Sequence, residues 1–137
     1  MASEDVDLVR SIYDRWERGD FHDVSWADPE IAFALRDGPT QVSCTGIEPM
    51  SKEWGEFLSN WDGLRAKAEE YRDLGDGRVL TLVRNTGTGK ASGVELSEMQ
   101  SRGANLFSVR DGKVTRLDVY WDRDRAFADL GIDPSAG

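Results

Sequence analysis

The sequence predicts an α+β fold, with a curved, mainly antiparallel sheet laid around N-terminal helices, and three observations predict it. Apolar residues recur at helical spacing through the first part of the chain. From Leu64 the period drops to two. Near the end, the turn residues Arg110-Asp111-Gly112-Lys113 separate two long strand-like runs. Helices that lead and antiparallel strands that follow put the helices on one face of the sheet, where they cover a pocket.

The elements follow in order. Asp5 to Arg18 carries Val6, Val9, Tyr13 and Trp16 at helical spacing, flanked by Leu8 and Ile12, and Gly19 ends the helix. Phe21 to Trp26 reads as a short second helical piece before Pro29. Glu30 to Leu35 is a strand with Ile31, Phe33 and Leu35 on one side, broken by Asp37-Gly-Pro39. Ile47 to Trp61 returns to helical spacing, with Met50, Trp54, Phe57 and Trp61 in one stripe. Two strands follow, Leu64 to Leu74 and Arg78 to Asn85, joined by Gly75-Asp76-Gly77. Gly87, Gly89 and Gly93 belong to a loop. The last hairpin runs Glu95 to Val109 and Val114 to Asp122, and a short helix capped by Asp122 ends at Gly131.

The final turn decides which side chains share a face. A two-residue Asp111-Gly112 turn pairs Val109 with Val114 and sets Asn105 beside Asp118. A three-residue loop with a bulge at Gly112 shifts the pairing by one. It places Asn105, Phe107, Val109, Thr115, Leu117, Val119 and Trp121 together. Leu106, Ser108, Val114, Arg116, Asp118 and Tyr120 take the other face. The second register separates polar from apolar better, so the bulged loop is preferred.

Composition bounds the function. The 137 residues make one domain, 1–137, with 39% hydrophobic and 31% charged residues, a soluble globular balance. No apolar run is long enough to span a membrane, and the acidic first residues lack signal-peptide character. One cysteine, Cys44, allows no disulfide within the chain, and a cytoplasmic setting is expected. A net charge of −9 repels phosphate backbones and anionic lipid, so neither nucleic acid nor membrane is an expected partner. His22 and Cys44 lie in different segments and form no zinc site or Cys–His pair, so no metal and no cofactor are expected. Gly87-Thr-Gly89-Lys90 does not fit a phosphate loop, because the first glycine of that motif falls on Arg84.

What remains is a pocket. Its expected walls are Tyr13, Trp16, Trp54, Trp61, Phe107, Leu117, Val119 and Trp121, with Asn105 as a buried amide that needs a hydrogen-bonding partner. Aromatic walls suit a small apolar molecule with a flat ring. The partner of Asn105 is either a neighbouring group in the core or a ligand carbonyl. An enzyme also needs an ionisable group, for which Glu95, Glu98 and Asp122 are the candidates. A binding module needs only the apolar walls and Asn105, and the alternative, a non-catalytic dimeric interaction domain, needs only an exposed sheet face. Leu106, Val114 and Tyr120, if exposed on the outer face, predict a homodimer.

Tyr13-Asp-Arg-Trp-Glu-Arg-Gly-Asp20-Phe21, Asp28-Pro-Glu-Ile-Ala-Phe33 and Arg110-Asp-Gly-Lys-Val114, in this order and spacing, resemble the nuclear transport factor 2-like superfamily. The polyketide cyclase-like (SnoaL-like) branch is the nearest, and the resemblance covers roughly residues 5–131. It implies a conical α+β barrel (cystatin-like), a pocket, frequent dimerisation through the sheet, and either cyclase, isomerase or hydrolase chemistry or simple binding. In steroid isomerase relatives an acidic donor stands where Asn105 stands here, and the base falls near Ala34, which cannot act as one. Their tyrosine falls one residue from Tyr13, nearer Ile12. The cyclases use an acidic residue in the stretch of Asp118 and Asp122, both directed away from the cavity in the preferred register.

Overall fold

A computed structural model of the chain describes residues 3–18, 20, 24–36, 42–59, 61–89 and 102–131. The order is α1 (Ser3–Trp16), β1 (Ala27–Leu35), β2 (Val42–Thr45), α2 (Ile47–Leu58), β3 (Trp61–Gly75), β4 (Arg78–Gly89), β5 (Arg102–Arg110), β6 (Lys113–Tyr120) and α3 (Arg123–Leu130). One six-stranded sheet runs β2-β1-β6-β5-β4-β3, antiparallel except for the β1–β6 pair. This is the expected α+β class. Register shifts within β3–β4, β5–β6 and β1–β6 bend the strands, as an unpaired extra residue does.

The inner face carries the main core. Val9, Ile12, Tyr13 and Trp16 form the buried stripe of α1 and pack on Ile31, Phe33, Val79, Val83, Phe107 and Leu117. Met50 of α2 joins them, with Trp54 packed alongside. The outer face carries a second cluster in which Ala126 and Phe127 of α3 cover Leu80, Leu82, Ala104, Leu106 and Tyr120. The helices therefore occupy both faces. An N-cap that turns the chain straight after β6 explains the third helix. Asp122 accepts from the Asp124 N–H at 3.0 Å, and Gly131 closes the helix in the left-handed conformation.

Several expectations need correction. Residues 24–26 form a turn rather than a helix, with the Ala27 N–H bonded to the Val24 carbonyl. β2 was not anticipated, because four residues with an exposed edge give too short an alternation to read. α2 stops at Leu58, so Trp61 is not part of its stripe but opens β3, opposite Gly89. Gly87 and Gly89 close β4 instead of forming a loop. Gly19, Phe21, His22, Asp37 to Pro39, Gly93, Glu95 and Glu98 lie outside the described residues.

The last hairpin combines both readings of its turn. Asp111 and Gly112 both have positive φ, 53° and 76°, the signature of a two-residue turn, and Val109 does pair with Val114. The bulge lies not at Gly112 but at Thr115, between the Val109–Val114 and Ser108–Arg116 pairs. Beyond it the preferred register holds, with Asn105 opposite Val119 and Leu106 opposite Asp118. Val114 is the exception. The bulge turns it inward to full burial in the α1 cluster, not outward with Leu106 and Tyr120. Leu106 and Tyr120 are themselves buried under α3, so the exposed apolar strip expected on the outer face is not there. Among the described residues, no helix is long and apolar enough to cross a membrane.

Candidate functional site

Strand alternation lines one row of inward side chains across five strands. Tyr71 of β3 stands opposite Thr81 of β4, Thr81 opposite Asn105 of β5, Asn105 opposite Val119 of β6, and Val119 opposite Leu35 of β1. Two of these five, Thr81 and Asn105, are polar and buried in an otherwise apolar interior. A buried polar group without a partner costs about 1–3 kcal/mol, so each must be bonded. α1 supplies the partner.

Tyr13 points from α1 onto this row. The Asn105 Nδ2 donates to the Tyr13 hydroxyl oxygen at 2.7 Å, and Thr81 Oγ1 donates to the Asn105 main-chain carbonyl at 3.2 Å. A threonine hydroxyl has one proton, so the 2.6 Å contact between Tyr13 and Thr81 is a bond in which Tyr13 donates. The three residues thus form a closed relay, 92 residues apart in sequence at its longest link. Burial pushes the Tyr13 phenol far above the usual tyrosine range, against the opposing effect of the Thr81 and Asn105 bonds. Tyr13 is therefore a hydrogen-bond donor at neutral pH and not a base. Among the described residues, nothing bonds the second N–H or the Oδ1 of Asn105.

Aromatic rings surround the relay. Tyr13 meets Trp16 at 5.0 Å, Phe107 at 5.9 Å and Tyr71 at 6.1 Å, each edge to face. Trp16 continues to Trp54 at 5.7 Å and Trp26 at 6.1 Å, and Trp54 meets Phe33 at 5.9 Å. Of the residues expected at the pocket, Tyr13, Trp16, Asn105, Phe107, Leu117 and Val119 do converge on the inner face. Trp54 is half-buried, placed by α2 over β1. Trp121 lies past the end of β6, half-buried in the bend before α3.

Thr81, Tyr71 and Trp26 were missed. Thr81 had a readable signal, because it fills the inward slot between Val79 and Val83 in a strand of period two. Trp26 sits in a turn, where no period exists to place it. Asp118 faces the other side of the sheet from the relay, as the preferred register requires. It is 3% exposed and held by two guanidinium groups, Arg36 Nε at 2.8 Å and Arg116 Nε at 2.9 Å. Asp122 is committed to capping α3. Burial, with Glu53 nearby, pushes the Cys44 thiol up, so it stays a thiol at neutral pH. Among the described residues, no three of histidine, cysteine, aspartate and glutamate converge as metal ligands.

The family described as the SnoaL-like domain matches residues 9–117. No curated protein matches the chain. Among solved structures, an NTF2-like protein from Burkholderia thailandensis is 21% identical, with TM-score 0.73, over 85% of this chain and 88% of that one. Bal32a, from a soil-derived mobile gene cassette, is 18% identical with TM-score 0.71, covering 87% and 89%. A Xanthomonas campestris protein of unknown function with a cystatin-like fold is 16% identical with TM-score 0.68, covering 85% and 88%. At these identities the likeness is one of fold.

Proposed function

The chain belongs to the SnoaL-like domain family, and from that premise we propose that it binds a small apolar, ring-containing molecule in its interior. A carbonyl on that molecule is held by the Asn105 amide, with Tyr13 fixing the amide's orientation. The observation that carries this reading is the Tyr13–Thr81–Asn105 relay, which leaves hydrogen-bonding capacity on Asn105 amid aromatic rings. An amide that served the core alone would be costly there, since an apolar residue of similar size packs without any bonds to satisfy.

Binding is favoured over proton transfer. Tyr13 is held protonated, Asn105 cannot exchange a proton, and Asp118 lies on the opposite face. The setting we assign is the reducing cytoplasm, consistent with a single cysteine.

Titration with 1-tetralone, a flat ring ketone, followed by tryptophan fluorescence, tests the reading. Trp16 and Trp54 flank the site and report on occupancy. Asn105→Leu preserves the fold, since Tyr13 still donates to Thr81, and weakens the ketone by about 1–3 kcal/mol. Equal affinity in both proteins reduces Asn105 to a core amide. No saturable signal with the native chain removes the binding reading.

A further inference from the structure

The outer face of the sheet carries a second feature, unrelated to the interior relay. α3 covers β4, β5 and the end of β6, while the β2-β1-β6 side holds an open groove of about 340 Å³. Two cross-strand rows build it: Ser43–Ala34–Asp118 and Thr45–Ala32–Arg116. Small side chains at Ala32, Ala34 and Ser43 leave the depression, and Arg36 and Arg116 border it.

Asp118 is the reason two arginines stand together there. Its carboxylate is 4% exposed and accepts from Arg36 through Oδ1 and from Arg116 through both oxygens. Like charges that would otherwise turn apart are pinned side by side, yet the Arg36 and Arg116 side chains remain 38% and 49% exposed. The contacts with Asp118 use Nε of Arg36, and Nε and one terminal nitrogen of Arg116. A guanidinium has five N–H donors, so donors remain on both. Among the described residues, two cations against one anion leave a single positive charge at the groove of a protein whose net charge is −9.

We propose that this groove binds the carboxylate of a small monoanionic organic acid, with Arg36 and Arg116 on the carboxylate and the Ala32, Ala34, Ser43 and Thr45 surface against the remainder. Guanidinium presents paired N–H groups that match a carboxylate's two oxygens. One residual positive charge suits a monoanion, whereas a dianion would meet the Asp118 carboxylate and the surrounding acidic surface. The volume fits an acid the size of a single substituted ring.

Amide shifts of the ¹⁵N-labelled chain, titrated with benzoate, benzyl alcohol and inorganic phosphate in parallel, test this. Benzoate is expected to give saturable shifts at Ala32, Ala34, Ser43 and Thr45, and benzyl alcohol none. Arg116→Gln weakens benzoate roughly tenfold. Ser43→Leu, an exposed strand position, fills the groove without changing charge and abolishes the shifts, so the proposal stays testable if the arginine variant fails to fold. Tighter binding of phosphate than of benzoate overturns the organic-acid assignment. So do equal shifts with benzyl alcohol, benzoate shifts at Thr81 and Asn105 instead of the groove, or unchanged affinity in Ser43→Leu. The outcome is independent of ketone binding inside, because the two sites lie on opposite faces of the sheet.

Discussion

Tyr13, Tyr71 and Tyr120 are the three tyrosines of the chain, and burial pushes all three phenols up. A folded-state value above the unfolded one favours the neutral phenol in the native state. That stabilisation is complete below the unfolded value near pH 10 and is lost as pH rises through the raised folded values. The expected result is an ultraviolet titration displaced above the ordinary tyrosine range, in which the share of the fully buried Tyr13 arrives only with unfolding. A phenol titrating normally at Tyr13 would mean that water reaches the relay in the native state. Asp118 offers a second test. Asp118→Asn replaces one accepting oxygen with a donor facing Arg36 and Arg116, and should cost about 1.5–3 kcal/mol by urea unfolding. The loss stays below the about 3–5 kcal/mol of a fully buried pair because both arginines can turn to water. No loss would show that the cluster is solvated and does not pin the groove.

Two hairpins at the same end of the sheet separate strain from close packing. Gly77, in the β3–β4 turn, has φ +77°, and its carbonyl accepts from the Val109 N–H at 2.7 Å. A Cβ there would stand 2.4 Å from the Val109 carbonyl oxygen, backbone that cannot move aside. Gly112, in the β5–β6 turn, has nearly the same φ with nothing within 4 Å of such a Cβ. Gly112→Ala should therefore cost only the left-handed strain, about 1–2 kcal/mol. Gly77→Ala should cost clearly more, because the docking of one hairpin turn on the neighbouring strand is lost as well. Equal shifts in denaturation midpoint would show that the β3–β4 turn does not seat on β5.

Self-association belongs to the whole molecule. A homodimer stays a proposal, but Leu106 and Tyr120 are spent under α3 and Val114 faces inward, so these residues cannot form its interface. Among the described residues, α3 leaves the β2-β1-β6 side open, and a second copy seated there would compete with an acid for the groove. Light scattering at micromolar concentration should give twice 15.3 kDa for a dimer. A mass of 15.3 kDa alone removes the dimer, and a dimer unaffected by Ser43→Leu places its interface away from the groove.

Local periodicity by itself determines much of this protein. Val6, Val9, Tyr13 and Trp16 announce a helix, although its buried face takes Ile12 in place of the half-buried Val6. Alternation from Leu64 announces the strands, and Asp122 announces a cap, because each rule depends only on residues a few positions apart. The inward direction of Asn105 and the outward direction of Asp118 are also legible in the sequence, since mispairing would mix polar and apolar side chains on both faces. The bulge at Thr115, the side of the sheet that α3 covers, and the Tyr13–Thr81–Asn105 relay are decided only in three dimensions. Each depends on which distant segments come to lie against one another. Neither Thr81 nor Arg36 carries any local mark of its partner, because hydrogen-bond satisfaction in a core is a property of the closed fold and not of the segment.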